Sequence, residues 1–212
     1  MADVGGDADA GVELRASVLV VSTHTTMYYW YNVASGVAGR GGMADDVWTG
    51  LNQLSVGLAD FYRDLHEHPE LSLQEYRTAR LVADALRPLG FDVTEQVGGT
   101  GVVGVLRRGD GPVVMVRADI DALPVEEKSG LPYASTAKAT GTDGRTVPVM
   151  HACGHDMHTT CLLGAATLLA RAAVEWSGTL LVVFQPAEEL GRGARDMVDD
   201  GLFRRFSQPD IV

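Results

Sequence analysis

Hydrophobic residues recur along this chain at helical spacing in three segments, and each segment predicts a helix. Over residues 51–65 the apolar side chains fall three or four positions apart, which places them on one helical face. The same spacing returns before Leu89 and again over residues 156–173. Ser72 to Glu75 matches the capping box that begins a helix, so the second helix is expected to start there.

Short apolar runs between these helices predict β-strands. The runs lie at residues 91–95, 101–107, 113–116 and 179–184. The last two are unbroken by polar residues, which is typical of strands buried on both faces. The polar, turn-rich stretch from Val125 to Val147 predicts a long loop. Helices that alternate with buried strands predict an α/β fold.

Residues 1–42 differ in composition from the rest of the chain. They begin acidic and glycine-rich, contain the aromatic run Met27–Tyr31, and end in further glycines. Met43 resembles a second chain start. We therefore predict a poorly ordered extension over residues 1–42 and a folded domain over residues 43–212. The alternative is that the aromatic run binds a partner.

Composition and charge exclude several classes of function. The chain has 212 residues and is 46% hydrophobic, enough for a sizeable core. Its net charge is -11, with a pI near 4.8 and no basic stripe, which argues against a nucleic-acid partner. No apolar run has the length of a membrane span. Cys153 and Cys161 are better explained as free thiols than as a disulfide, so we expect a reducing, cytoplasmic setting.

The segment His151–His158 concentrates side chains that bind divalent metals. It contains three histidines, a cysteine and an aspartate, which offer nitrogen, sulfur and oxygen ligands. Cys153 and His155 are two residues apart, and an extended segment would point both to the same side. Gly154 between them adds no side chain that would block a shared ion.

Paired carboxylates follow both of the buried strands. Asp119 and Asp121 come directly after one, and Glu188 and Glu189 come shortly after the other. Ligands of open α/β sheets bind beyond the carboxyl ends of the strands. We therefore expect these acidic residues to converge with the Cys/His segment at one edge of the sheet.

These motifs resemble the signatures of a known enzyme family. Arg117–Pro124, His151–His158 and Gln185–Glu189 are similar to the motifs of the M20 metallopeptidases. More narrowly, they resemble the amidohydrolase branch, which includes hippurate hydrolases and hydrolases of auxin–amino acid conjugates. The similarity extends over residues 51–212. It implies a mixed sheet sandwiched by helices, a site for two divalent ions, and hydrolysis of the amide bond of N-acyl amino acids.

The resemblance also implies roles for individual residues. Cys153, His155 and Glu189 match metal ligands, and Glu188 matches the general base that activates water. Asp121 matches the acidic residue that supports the site from the preceding strand. A cysteine ligand favours Zn or Mn over Mg or Ca.

Family members are considerably longer than this chain. The resemblance therefore implies that residues 43–212 are the N-terminal part of a metallopeptidase catalytic domain, without the lid and dimerisation domain. Homodimers or homo-oligomers are expected of the full-length form. We expect this portion alone to be inactive, and a metal-binding or partner-binding fragment is the alternative function. A thiol enzyme with Cys153 as nucleophile and His155 as base is a further alternative, and it leaves Glu188 and Glu189 without a role.

Overall fold

The computed structural model describes residues 51–171 and 176–212. Its helices are α1 (Leu51–Glu67), α2 (Tyr76–Leu86), α3 (His155–Arg171), α4 (Gly193–Asp199) and α5 (Leu202–Arg205). Its strands are β1 (Asp92–Val97), β2 (Gly101–Arg108), β3 (Val113–Asp119), β4 (Lys138–Thr140), β5 (Thr146–Pro148) and β6 (Gly178–Gln185). The predicted extension over residues 1–42 lies outside the described residues.

Four of the strands form one mixed sheet in the order β1-β2-β6-β3. The pairs β1–β2 and β2–β6 are antiparallel, whereas β3 runs parallel to β6. The predicted α/β class and the mixed sheet are both confirmed. In the parallel pair, Asp119 lies opposite Gln185, so the chain leaves both strands at the same edge of the sheet.

Helices cover both faces of this sheet. Strand β6 turns Leu180, Val182 and Phe184 to one face, where they pack with α2 and α3. Its alternate residues Leu181 and Val183 pack on the other face with Met197, Leu202 and Phe206 of the C-terminal segment. The prediction that β6 is buried on both faces is therefore confirmed. Helix α1 packs in turn on α3, where Gly164 has no side chain and so leaves room for that of Leu58.

The capping box predicted at Ser72–Glu75 is wrong. Helix α2 begins at Tyr76, and the Glu75 side chain makes no capping hydrogen bond. The Ser72 hydroxyl instead donates to Asp121 at 2.6 Å, because a partner distant in sequence competes successfully with the local cap. The predicted stop is confirmed, since a 3-10 turn over Arg87–Leu89 ends at Gly90 in the left-handed region.

Two further predictions need correction. Strand β3 is not buried on both faces, because Val116 on one of them is 40% exposed. The segment predicted as a long loop contains the two-stranded hairpin of β4 and β5, which turns at Gly141–Gly144. None of the helices in the described part of the chain combines the length and hydropathy needed to cross a bilayer.

Candidate metal centre

Three segments meet beyond the carboxyl ends of β3 and β6. Asp119 ends β3, Gln185 ends β6, and His155 begins α3. The Ile120 amide donates to the Gln185 carbonyl at 3.0 Å, which keeps the two strand exits together. The parallel register of β3 and β6 thus delivers the predicted carboxylates to the N-terminus of α3.

The segment before α3 is a turn and not the extended stretch that we predicted. Ala152 and Cys153 form the turn, and the Ala152 amide donates to the Met150 carbonyl at 2.9 Å. Gly154 has a φ of 78°, a left-handed conformation that favours glycine. The alternation expected to place the Cys153 and His155 side chains on one side is therefore absent.

Contacts with Asp121 fix the orientation of the buried His155 ring. Its Nδ1 lies 2.9 Å from the Asp121 carbonyl oxygen and 3.3 Å from Oδ1 of the same residue. A carbonyl oxygen only accepts hydrogen bonds, so Nδ1 carries the proton and Nε2 of the neutral ring is free to bind a metal. Nε2 faces Glu188 Oε2 at 3.9 Å and Glu189 Oε1 at 4.0 Å.

Asp121 connects this histidine to the loop after β6. Its Oδ2 accepts the Ser72 hydroxyl at 2.6 Å and the Glu189 amide at 3.0 Å. Burial acts to raise the pKa of Asp121, but the hydrogen bonds from His155, Ser72 and Glu189 outweigh it and lower the pKa. Asp121 is therefore a charged support that touches two of the predicted ligand residues.

The glutamates that follow β6 differ in exposure. The Glu188 side chain is 44% exposed and that of Glu189 17%. Burial, followed by the Asp119 charge, raises the pKa of Glu188. A carboxyl group that reaches solvent and has a raised pKa suits proton transfer near neutral pH. The more buried Glu189 suits a fixed ligand.

Cys153 lies beside Glu189. Interaction with the neighbouring Glu189 carboxylate, followed by burial, raises the pKa of Cys153 to about 11. The metal-free thiol is therefore protonated at neutral pH, which argues against the alternative of a thiol nucleophile. Both cysteines of the chain are free.

Two groups of side chains within the described residues have the geometry to hold an ion. One contains His155, Glu188 and Glu189, and the other contains Asp119, His155 and His158; each member offers a ligand atom within 4.8 Å of the others. Cys153 belongs to neither group, so its role as a ligand stays a prediction. We did not predict His158 as a ligand, although it lies three residues after His155 and hence on the same helical face.

Unpartnered buried atoms show that a cation fits this place. His158 Nε2 and Glu189 Oε1 are buried and make no hydrogen bond within residues 51–171 and 176–212. Such atoms cost free energy unless a ligand, ion or water satisfies them. Nitrogen and carboxylate oxygen donors are those that Zn2+ and Mn2+ accept.

A second histidine cluster lies behind the candidate ligands. The His66 Nδ1 is 2.6 Å from Asp156 Oδ2, and its Nε2 is 3.0 Å from Glu127 Oε1. The nearby His151 is buried, and burial lowers its pKa to about 4. Asp156 also accepts the Met157 amide at 2.8 Å, so His66 supports the first turn of α3, where His155 lies.

Comparison with known proteins identifies related sequences. The sequence profile described as "Peptidase family M20/M25/M40" matches residues 115–212. Hippurate hydrolase of Campylobacter jejuni is 48% identical over 143 residues, which are 67% of this chain and 34% of that protein. N-acetyl-L-cysteine deacetylase of Bacillus subtilis is 43% identical over 170 residues, 76% of this chain and 39% of that protein.

Solved structures share the fold over a similar portion. A Bacillus subtilis protein described as a dinuclear metal binding peptidase from the M20 family superimposes with a TM-score of 0.64 and 39% identity, covering 73% of this chain and 41% of that one. A putative aminohydrolase from methicillin-resistant Staphylococcus aureus gives a TM-score of 0.68 and 34% identity, covering 76% and 40%. This chain thus spans well under half the length of these relatives.

Proposed function

The chain belongs to peptidase family M20/M25/M40 over residues 115–212, and on that premise we propose that it supplies the metal-binding and proton-transfer groups of a hydrolase that cleaves the amide bond of N-acyl amino acids. One observation carries the proposal. The free Nε2 of His155 faces the carboxylates of Glu188 and Glu189, and Asp121 fixes the orientation of the ring.

The relatives support the substrate class. Hippurate hydrolase and N-acetyl-L-cysteine deacetylase are named for acylated amino acids, and they match 67% and 76% of this chain. Because this chain covers only 34% and 39% of their lengths, the activity of the whole protein is proposed here by similarity.

In the proposed mechanism, His155 and Glu189 would hold a divalent metal ion, with Cys153 as a further ligand by the resemblance. Such an ion would lower the pKa of a water molecule from 15.7 to about 7 and polarise the scissile carbonyl. Glu188 accepts the proton of the attacking water and returns it to the nitrogen of the leaving amine. The second ion implied by the resemblance draws support from Asp119 and His158, which offer ligand atoms beside His155, whereas the single free nitrogen of the His155 ring serves one ion.

Substitution of the two glutamates tests these roles. Glu189→Gln is expected to lose Zn2+ or Mn2+, because a neutral amide is a weaker ligand. Glu188→Gln is expected to keep the metal, because its role is proton transfer. Calorimetric titration of the metal-free chain with each ion measures both. The reverse pattern would show that base and ligand are exchanged, and equal loss in both variants would show that both glutamates bind the metal.

Hydrolysis tests the proposed activity directly. The chain would be incubated with Zn2+ or Mn2+ and a panel of N-acetyl and N-benzoyl amino acids, with Glu188→Gln as the control. We expect turnover below about 1 per second, the slow end of enzymatic rates, because the described residues offer few ligands for two ions. Faster turnover that disappears in Glu188→Gln would show that this chain supplies every catalytic group. A chain that binds neither ion would contradict the proposal.

Setting and assembly are part of the same proposal. The free thiols of Cys153 and Cys161 support a reducing, cytoplasmic location. The proposed partner is a small N-acyl amino acid, and the full-length form is proposed to be a homodimer or a larger homo-oligomer by the resemblance alone.

A further inference from the structure

Glu75 is a fully buried carboxylate at the start of α2, with 0% of its surface exposed. Its Oε1 accepts the Ala187 amide at 2.9 Å, and its Oε2 accepts the Thr100 hydroxyl. Ala187 lies immediately before the Glu188–Glu189 pair. A buried carboxylate costs free energy unless its hydrogen bonds compensate, and here one of those bonds reaches the backbone of the candidate metal centre.

The backbone that Glu75 contacts has an uncommon conformation. Ala187 has a φ of 50°, in the left-handed region that a residue with a side chain adopts only when its surroundings enforce it. Its carbonyl accepts the Gly193 amide at 3.1 Å and the Arg192 amide at 3.4 Å. Ala187 is therefore held through its amide by Glu75 and through its carbonyl by the start of α4.

A second carboxylate holds the same loop two residues later. The Glu189 amide donates to Asp121 Oδ2 at 3.0 Å. Glu188 thus lies between two backbone amides that are each bound by a buried carboxylate, and Glu189 carries the second of these amides. The two bonds hold the backbone from which both glutamate side chains extend.

We propose that Glu75 is a positioning residue of the metal centre: by binding the Ala187 amide it maintains the left-handed turn that directs Glu188 and Glu189 towards His155. The expected effect of Glu75 on metal binding rests on the proposed function. Its structural part, the hold of Glu75 on the turn, is independent of any metal.

The main variant is Glu75→Met, which keeps the side-chain volume but removes the acceptor. The conservative variant is Glu75→Gln, whose amide oxygen still accepts the Ala187 amide while its NH2 group donates to the Thr100 hydroxyl. The matched control is Thr78→Ala. Thr78 is equally buried on α2 and donates to Glu70 at 2.9 Å, so this variant loses a buried hydrogen bond outside the loop.

The first measurement is hydrogen exchange of the Ala187 amide by NMR on metal-free protein. Loss of one hydrogen bond is expected to speed this exchange by about tenfold in Glu75→Met, with little change in Glu75→Gln or Thr78→Ala. The second is the Zn2+ affinity, which is expected to fall by about 10- to 100-fold in Glu75→Met and to recover in Glu75→Gln. The Co2+-substituted chain should show an altered visible spectrum only in Glu75→Met.

Several outcomes would overturn the inference. Unchanged Ala187 exchange in Glu75→Met would do so, as would an equal loss of Zn2+ affinity in Thr78→Ala. If Glu75→Met does not fold, the unmodified chain still tests the hold of Glu75 on the turn. The Ala187 amide must then exchange more slowly than the neighbouring Glu188 amide, and equal exchange rates would overturn the inference. A chain that binds no Zn2+ would overturn the proposed function, whereas the exchange experiment would still test the hold on the turn.

Discussion

Two buried histidines, His66 and His155, differ in what their ring nitrogens contact. They are 6% and 4% exposed. Both nitrogens of His66 meet carboxylates, at 2.6 Å from Asp156 and 3.0 Å from Glu127. His155 uses only Nδ1 for such support, and its Nε2 stands 3.9 and 4.0 Å from the two glutamates that follow β6.

Burial alone therefore does not identify a metal ligand. The ring of His66 has both nitrogens occupied, so it contributes to stability by pairing with two buried carboxylates. The ring of His155 presents one nitrogen to a space surrounded by oxygen atoms. The two histidines thus differ in the second ring nitrogen, which is occupied in His66 and faces two glutamates in His155.

The largest expected effect is on metal binding at His155. His155→Ala removes a proposed direct ligand, so the Zn2+ affinity should fall by more than the roughly 100-fold that loss of a supporting group can cost. His66→Ala should affect the affinity far less. Isothermal titration of both metal-free variants with Zn2+ measures the two affinities. Equal losses of affinity would show that the two histidines contribute equally to metal binding.

The second effect is on stability at His66. His66→Ala leaves Glu127 and Asp156 buried without their cation, which should lower the free energy of unfolding by about 3–5 kcal/mol. His68→Ala is the matched control, because that side chain is half exposed and its loss should cost at most about 0.5 kcal/mol. Urea unfolding of metal-free protein gives both values, and similar costs at the two positions would contradict the assignment.

The stabilisation by His66 should depend on pH. Burial acts to lower the pKa of His66, but hydrogen bonds with Glu127 and Asp156 outweigh it and raise the pKa above the ordinary value. A raised pKa in the folded state means that the stabilisation is complete below the unfolded pKa of about 6.5 and is lost as pH rises through the folded pKa.

The difference in unfolding free energy between the unmodified chain and His66→Asn should therefore shrink as pH rises above about 6.5. Urea unfolding of the two proteins over a pH series measures it. A difference that grows with pH would show that His66 is neutral in the folded protein.

The smallest expected effect concerns residues 1–42. We propose that neither histidine cluster depends on them, so a chain that starts at Met43 should keep the thermal midpoint and the Zn2+ affinity of the full chain. Differential scanning calorimetry and titration compare the two lengths. A clear drop in the midpoint would show that the aromatic run Met27–Tyr31 contributes to the core.

Periodicity predicted most of the fold, because helix and strand spacing follow from which side chains are buried. The capping box failed because its residues bind partners far away in sequence. Ser72 reaches Asp121, 49 residues distant, and Glu75 reaches Ala187, 112 residues distant. A local signature cannot reveal such competition between near and distant partners.

For the candidate site, the sequence predicted which segments meet but not every contact of their side chains. The convergence of His155, Glu188 and Glu189 follows from strand ends that share one edge of the sheet. The placement of Cys153 could not be derived, since it depends on the left-handed conformation of Gly154. Likewise, no sequence pattern shows that His66 finds both Glu127 and Asp156.

The parallel pairing of β3 with β6 has a consequence for how the chain folds. The contacts that build the metal centre join residues 34, 68 and 112 positions apart. Closing such long loops is entropically costly and slow, so the centre should form late, after the sheet has assembled. During refolding, Zn2+ binding is therefore expected to appear only after the sheet has assembled, and later than the formation of individual helices.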